Sequence, residues 1–218
     1  MNADLAAGVQ ASIAALGVAA PALGEAARVE TLYEAYVACC VIEALRQLGA
    51  TCEVRGQNDQ PSPTLVFRTK PGVIYSQGPY TFIFARIGQR ECELHTDLRV
   101  VGRSRVLHEI DVVLLDRAEG LRCRQLAIHP KHSKAMFLAE CKFYGGALPL
   151  RIGREFVGLV SECQLRTRTI VSNVASDNVR ALAAGHKATA NFTVSPMSQS
   201  RVDEFVSWIT TELRQVLG

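Results

Sequence analysis

Apolar residues recur at helical spacing in two segments at the start of the chain. Over residues 3–20 the spacing predicts a first short helix, which Pro21 and Gly24 should end. The segment EAARVETLYEAYVACCVIEALRQLG then predicts a strongly amphipathic helix that stops at Gly49. The chain is therefore expected to begin with two helices.

After Gly49 the pattern changes to short apolar segments separated by turn residues, which is typical of β-strands. The first five predicted strands are TCEVRG, LVFRT, TFIFARI, CELHTDLRVVG and EIDVVLLD. Strands and helices then alternate: the strand KAMFLAECKFYGG, a helix over 149–164, the strand RTRTIVSNV, the helix SDNVRALAAGH, the strand KATANFTVS and the helix SRVDEFVSWITTELRQVL. This order predicts the α/β class, with a mixed sheet between two helical layers (three layers, α/β/α).

Length and composition fit one domain. With 218 residues, of which 48% are hydrophobic and 21% charged, the chain can bury a sizeable core. We expect a single domain over 1–218, with a helical extension over 1–24, a core over 25–175, and a C-terminal strand and helix over 176–218.

The expected location is the cytoplasm. The seven cysteines are odd in number and form no C-x-x-C pair, which argues for a reducing compartment and against disulfides or a structural zinc site. The apolar N-terminus lacks a basic leading segment and contains Asp4, and Pro21 and Gly24 interrupt it early. A signal peptide and a membrane span are therefore not expected.

Positive charge is concentrated in the middle of the chain. The net charge is +3, but residues 99–168 contain thirteen Lys or Arg against seven Asp or Glu, so this stretch carries +6. A phosphate-binding face would need such a basic region, and solvated strand ends would give the same count.

Three charged residues interrupt two of the predicted buried strands. Asp111 opens the apolar run of HEIDVVLLD, and Glu140 and Lys142 lie inside FLAECKFY. Residues two apart in a strand point to the same face, so Glu140 and Lys142 project together and Cys141 points away. If the two strands are neighbours, Asp111 reaches the same place, and two close carboxylates favour a hard cation such as Mg²⁺ between them. The lysine would orient or deprotonate the attacking water, or stabilise charge developing on a phosphate.

These residues resemble the signature of the PD-(D/E)xK nuclease superfamily, which has the restriction endonuclease-like fold. Ile110-Asp111 matches the "PD" element, with isoleucine in place of proline, and Glu140-Cys141-Lys142 matches the "(D/E)xK" element. The resemblance implies a catalytic core over 25–175 and a Mg²⁺-dependent nuclease, with Mn²⁺ as a substitute, that hydrolyses phosphodiester bonds. DNA is favoured over RNA as the substrate, and bacterial restriction or phage defence is the implied role.

The resemblance bears on partners and on further metal ligands. A homodimer is expected because cutting both strands needs two sites. No DNA-reading module is visible, so the enzyme would cut with little sequence preference or depend on a partner protein or activating ligand. An acidic residue on the helix before the sheet often completes the site; Glu34 is our choice, with Glu30 one turn earlier as the alternative. The Cys141 backbone carbonyl is implied as another ligand, and Gln164 matches a glutamine of exonuclease-like members.

Basic residues near these strands are candidates for binding substrate phosphates. Arg151 and Arg154 stand at the start of a predicted helix, just after a glycine pair, and Lys134 ends the segment HPKHSK. The plainer interpretation of the two arginines is a solvated first helical turn.

Other classes of protein also account for the pattern. A structural salt-bridge network would explain Asp111, Glu140 and Lys142. A catalytically inactive nuclease fold that binds nucleic acid or a partner would have the same shape. A structural subunit would use its amphipathic termini, 3–20 and 201–217, to pack against a partner.

Overall fold

The computed structural model describes residues 2–19, 28–68, 70–76 and 78–217. This part of the chain forms helices and strands of the predicted α/β class. Its helices are α1 Asn2–Ala14, α2 Val29–Gln47, α3 Arg117–Leu126, α4 Leu150–Glu162, α5 Asp177–Gly185 and α6 Gln199–Leu217. Its strands are β1 Thr51–Gly56, β2 Thr81–Ile87, β3 Arg90–Val101, β4 Leu107–Asp116, β5 Ala135–Lys142, β6 Thr167–Ser172 and β7 Thr189–Phe192. A 3-10 turn, His132–Lys134, leads into β5.

The seven strands form one mixed sheet in chain order, from β1 to β7. Neighbours from β1 to β5 pair antiparallel, whereas β6 pairs parallel with both β5 and β7. The direction changes because α4 and α5 cross between the last three strands, and parallel neighbours require such crossovers. The strand β5, which carries Glu140 and Lys142, therefore lies where the antiparallel and parallel parts of the sheet meet.

Helices pack on both faces of the sheet. One buried cluster joins α1, α2 and α6 to the sheet, through residues such as Leu32, Phe205 and Val112. The second cluster joins α3, α4 and α5 to the opposite side, through residues such as Phe156 and Leu138. The mixed sheet predicted from the order of elements is confirmed. The closer match to a restriction endonuclease-like core stays a prediction, as do the predicted bounds of the domain parts.

The assignment of side chains to the two faces changes within β3 and β4. Leu94 and Val112 pack into the cluster with α2, whereas Leu98 and Ile110 pack into the opposite cluster. In a regular strand, residues separated by an even number point to the same face. The alternation is therefore broken between Leu94 and Leu98 in β3 and between Ile110 and Val112 in β4, which are antiparallel neighbours.

One predicted strand was wrong and one helix was not predicted. The segment LVFRT forms no strand over its described residues 65–68; Val66 instead bonds to Thr81, whose backbone N–H donates to the Val66 carbonyl at 3.0 Å. The helix α3 was not predicted. It begins directly after β4 because the Asp116 side chain accepts hydrogen bonds from the backbone N–H groups of Ala118 at 2.9 Å and Glu119 at 3.2 Å, which caps the first turn.

The first helix is shorter than the predicted 3–20. It ends at Ala14, and Gly17 adopts a φ of 75°. Pro21 and Gly24, which were expected to end it, lie outside the described residues. The end of α2 agrees with prediction, because Gly49 follows the last turn with a φ of 83°.

The new helix α3 supplies the partners of a buried carboxylate. Glu93 of β3 is fully buried and accepts hydrogen bonds from Arg117 and from Arg124, the latter at 2.8 Å between Nη1 and Oε2. His95 Nε2 lies 2.9 Å from the same carboxylate. Burial alone would raise the pKa of Glu93, but Arg124 and His95 outweigh it and lower that pKa to about 2. Glu93, Arg117 and Arg124 therefore form a buried ion-pair network that holds α3 against β3.

All seven cysteines are described and none is in a disulfide; six are buried and Cys52 is half-buried. Among the helices in the described part of the chain, none combines the length and the apolar composition needed to cross a bilayer.

Candidate metal centre

Three carboxylates from three different elements meet beside the middle of β4. Glu34 comes from α2, Asp97 from β3 and Asp111 from β4, and one oxygen of each lies within 4.8 Å of the others. Asp97 and Asp111 are 5% and 7% exposed, so this is a nearly buried cluster. Burying like charges together costs free energy unless a cation or protons compensate them.

The local backbone explains how Asp97 reaches this cluster. Asp97 has a φ of 48°, and the pairing of β3 with β4 skips the position between Thr96 and Leu98. Its carbonyl accepts a hydrogen bond from the Gly72 backbone N–H at 2.8 Å, and the Gly72 carbonyl accepts one from Arg99 at 3.0 Å. A positive φ is unfavourable for aspartate, so the neighbouring segment must hold it in place.

The Gly72 backbone, which bonds to Asp97 and Arg99, also passes close to the Arg68 side chain. A Cβ atom at position 72 would lie 2.6 Å from Arg68 Cδ and 2.7 Å from Arg68 Nε. Arg68 is itself 8% exposed, with its guanidinium 3.6 Å from the centre of the Tyr80 ring. The arginine therefore has little room to move, and any side chain at position 72 would have to displace it.

Glu140 and Lys142 of β5 lie on the same side as Asp111, as the spacing predicted. The Lys142 ammonium is 2.7 Å from Glu140 Oε1 and 3.6 Å from Asp111 Oδ2. The Cys141 backbone N–H donates to Asp111 Oδ2 at 2.6 Å, and the Cys141 side chain packs into the cluster with α2. The strand pairing explains this arrangement, because Val112 of β4 lies opposite Ala139 of β5.

The pKa values of the acidic groups reflect crowding and burial. Burial, followed by the charges of Asp111 and Asp97, raises the pKa of Glu34 to about 9. Burial and then Asp111 raise the pKa values of Asp97 and Glu140 to about 7 each. Burial also raises the pKa of Asp111 itself. Without a cation, the cluster therefore takes up protons at a pH where ordinary carboxylates are fully charged.

The pKa of Lys142 is raised, whereas burial alone lowers the pKa of an amine. Burial alone would lower it, but the carboxylates of Asp111 and Glu140 together raise the pKa of Lys142 above its usual value. Lys142 therefore stays an ammonium at neutral pH in this arrangement.

The donor set fits a hard divalent cation. Carboxylate oxygens are the ligands that Mg²⁺ and Mn²⁺ prefer, and one such ion would compensate the charges that now raise the pKa values of Glu34, Asp97 and Asp111. Among the His, Cys, Asp and Glu side chains of the described residues, one group of three lies close enough to share an ion, and it is this trio.

Several predicted metal ligands can now be placed. Glu34 lies in the trio, whereas Glu30 is exposed and pairs with Arg28 at 3.6 Å, so the geometry favours Glu34 over the alternative. Glu140 lies outside the trio and faces Lys142. The Cys141 backbone reaches the site through its N–H group; a role for its carbonyl as a ligand stays a prediction.

Asp97 was missed in the sequence. It stands in the segment HTDLRV, where polar residues neighbour one another and look like the solvated face of a strand. The available signal was an aspartate, a poor strand former, between two segments of well-patterned strand. That signal does not reveal which face the side chain takes, because the positive φ and the break in alternation arise from tertiary contacts.

The predicted phosphate-binding residues lie in two places. Arg151 and Arg154 are exposed in the first turns of α4, which follows the end of β5 that carries Lys142. Lys134 precedes β5, and Gln164 precedes β6, whose Thr167 pairs with Phe137 at the beginning of β5. Lys134 and Gln164 are thus at the opposite end of these strands from Lys142, about 25 Å away for Lys134 at the usual rise per residue. The structure does not bring them to the candidate centre.

Comparison of the chain with models of known protein families, with curated proteins and with solved structures gave no match. Membership of the PD-(D/E)xK superfamily therefore stays a prediction from the residues.

Proposed function

We propose that the chain is a divalent-metal-dependent nuclease that hydrolyses phosphodiester bonds, with DNA as the favoured substrate. One observation carries the proposal: the carboxylates of Glu34, Asp97 and Asp111 converge within 4.8 Å, and the ammonium of Lys142 lies 3.6 Å from Asp111. Carboxylates that hold a hard cation, beside a fixed positive charge, make a combination suited to an anionic phosphate ester.

The residues divide into ligands and charged donors. Glu34, Asp97 and Asp111 would hold Mg²⁺ or Mn²⁺, and the bound ion would supply Lewis-acid polarisation of the phosphoryl group. The Cys141 N–H, donating to Asp111 Oδ2 at 2.6 Å, fixes the orientation of that carboxylate. Ligands oriented by a hydrogen bond lose less conformational entropy when an ion binds.

Lys142 acts as a positive donor rather than as a base. Because Asp111 and Glu140 raise its pKa, it keeps its protons and can donate a hydrogen bond to an oxygen of the scissile phosphate. Glu140, 2.7 Å from the ammonium, positions Lys142 and balances its charge. Glu140 is in turn protonated more readily than a free glutamate, since its pKa is about 7.

The decisive test is cleavage by the purified chain. Supercoiled plasmid, linear duplex and single-stranded DNA, with an RNA duplex alongside, are incubated with Mg²⁺, with Mn²⁺ and with EDTA. We expect metal-dependent cleavage by the wild type and a loss of about 100-fold or more in Lys142→Ala and Asp97→Asn, because single charged groups of a centre commonly contribute this much.

The matched control is Glu204→Gln, a change at an exposed carboxylate of α6 that pairs only with a neighbouring arginine in the described part of the chain. It should cleave like the wild type. The proposal is wrong if the wild type cuts none of these substrates with either metal while remaining folded. Dimerisation, an activating partner and a defence role stay predictions that this assay does not address.

A further inference from the structure

The hairpin that joins β3 to β4 carries unpaired positive charge. We call residues 98–110 the β3–β4 arm; it comprises the end of β3, the turn and the start of β4. Arg103 and Arg105 in its turn are exposed, and neither guanidinium makes a hydrogen bond or ion pair with the described residues. Val106 and Leu107 beside them are 56% and 41% exposed. Exposed arginines without carboxylate partners are available to an external anion.

The arm is held rigidly although its tip is exposed. Glu162, at the end of α4, accepts hydrogen bonds from Ser104 through the backbone N–H at 2.9 Å and the hydroxyl at 2.6 Å. The Arg103 N–H donates to the Glu162 carbonyl at 3.0 Å, and the Gly102 N–H closes the turn on Val106 at 2.9 Å. These contacts use the backbone at position 103, so its side chain is presented from a fixed support.

Both strands of the arm lead directly into the candidate metal centre. Asp97 immediately precedes the arm in β3, and Asp111 immediately follows it in β4. β3 ends at Val101, and the turn that carries Arg103 follows it. Arg99 stands between Asp97 and this turn, exposed and opposite Glu109 in the β3–β4 pairing. The arm is thus a fixed hairpin, bonded at Val101 to Pro130 and at Arg103 to Glu162, that joins Asp97 and Asp111 to a pair of free guanidiniums.

We infer that the β3–β4 arm binds the phosphate backbone of duplex DNA through Arg103 and Arg105. This inference rests on the proposed function and adds the substrate-binding surface to it. Guanidinium groups match phosphate geometry, and the hydrogen bonds to Glu162 hold the turn that presents them in place.

The opposite end of β3 offers a contrast. The β2–β3 hairpin also carries two exposed arginines, but Arg86 of β2 pairs with Glu91 at 2.7 Å, and this end of the hairpin lies beyond the Glu93 network, away from Asp97. Arg86 and Arg90 therefore give a control with the same number of charges at the other end of β3.

The test compares Arg103→Gln/Arg105→Gln with Arg86→Gln/Arg90→Gln. Both variants are made on the Lys142→Ala background. Their binding to a fluorescent DNA duplex and to an RNA duplex, each of about 30 base pairs, is measured with Mg²⁺ at several salt concentrations. The arm variant should bind DNA roughly 10- to 100-fold more weakly at about 0.1 M salt, with the slope of log affinity against log salt reduced by about 2. The control should match its parent in affinity and slope, and both variants should keep the parent's melting temperature.

A second measurement uses the wild type and the arm variant without the Lys142 change. The arm variant should cleave DNA more slowly than the wild type when the DNA is below saturation, and at about the same rate when the DNA saturates the protein. Equal DNA binding by the arm variant and its parent would overturn the inference, as would tighter arm-dependent binding of the RNA duplex. If the arm-dependent binding appears but the wild type cuts nothing, the arm stands and the proposed function fails.

Discussion

Replacing Glu34 by glutamine should stabilise the metal-free protein. Burial and the charges of Asp111 and Asp97 raise the pKa of Glu34 from 4.5 to about 9. Between these pH values the folded chain holds a proton that the unfolded chain releases, so stability falls as pH rises through this window. Glutamine cannot ionise in either state, so the Glu34→Gln variant escapes that loss.

The magnitude follows from the width of the window. Each pH unit above 4.5 costs the wild type about 1.4 kcal/mol, which amounts to about 3 kcal/mol at pH 7. Glu34 is half-buried, and solvent screening reduces this figure, so we expect a gain of about 1–3 kcal/mol in the free energy of unfolding. For a chain of this size such a gain raises the melting temperature by roughly 2–10 °C.

The assay is urea unfolding in EDTA, followed by circular dichroism, at pH values from 4.5 to 9. The matched control is Glu30→Gln, one turn earlier on α2, where the side chain is 54% exposed. That change should stay within about 0.5 kcal/mol of the wild type. With Mg²⁺ or Mn²⁺ at about 100 times its dissociation constant, the wild type should gain about 2.7 kcal/mol, and Glu34→Gln much less.

Two results would contradict this role of Glu34. One is an advantage of Glu34→Gln that does not shrink as the pH falls towards 4.5, because glutamate and glutamine then differ little in charge. The other is equal metal-dependent stabilisation of the Glu34→Gln and Glu30→Gln variants, which would remove Glu34 from the set of ligands.

Two further predictions concern the supports of the centre. Glu93→Gln should destabilise the fold by about 3–5 kcal/mol, since it leaves buried guanidiniums without their carboxylate, whereas Glu91→Gln on the surface should change little; urea unfolding measures both. Because the pKa of Glu93 is about 2, its contribution is complete above pH 4.5 and is lost as the pH falls towards 2, which acid titration of the wild type should show. Gly72→Ala should cost about 1–3 kcal/mol and weaken Mn²⁺ binding in calorimetry, because its methyl group would displace Arg68. Gly145→Ala, where no atom lies within 4 Å of the added Cβ, should leave Mn²⁺ binding unchanged.

Charged residues inside apolar strands were the part of the centre that the sequence revealed. Asp111, Glu140 and Lys142 stand out because each interrupts a run of buried positions, and a period of two fixes which of them share a face. That β4 and β5 are neighbours was a condition of the prediction, and the pairing of Val112 with Ala139 now meets it.

The remainder depends on contacts between distant segments. Asp97 enters the cluster with its backbone at a positive φ, and its carbonyl bonds to Gly72, 25 residues away. The helix α3 has few apolar residues and forms on a cap from Asp116 and on the pairing of its arginines with Glu93. Periodicity within a segment contains neither relation, which explains why one carboxylate of the cluster and one helix were missed.

The reactivity of the buried Cys141 thiol reports local unfolding around the candidate centre. Burial raises the pKa of Cys141 well above its usual value, so in the folded chain it offers almost no thiolate to an alkylating reagent. Its sulfur faces the core behind Asp111, one residue from Lys142, and becomes reactive only when β5 separates from its neighbours. The rate at which an alkylating reagent modifies Cys141 therefore measures how often the centre comes apart.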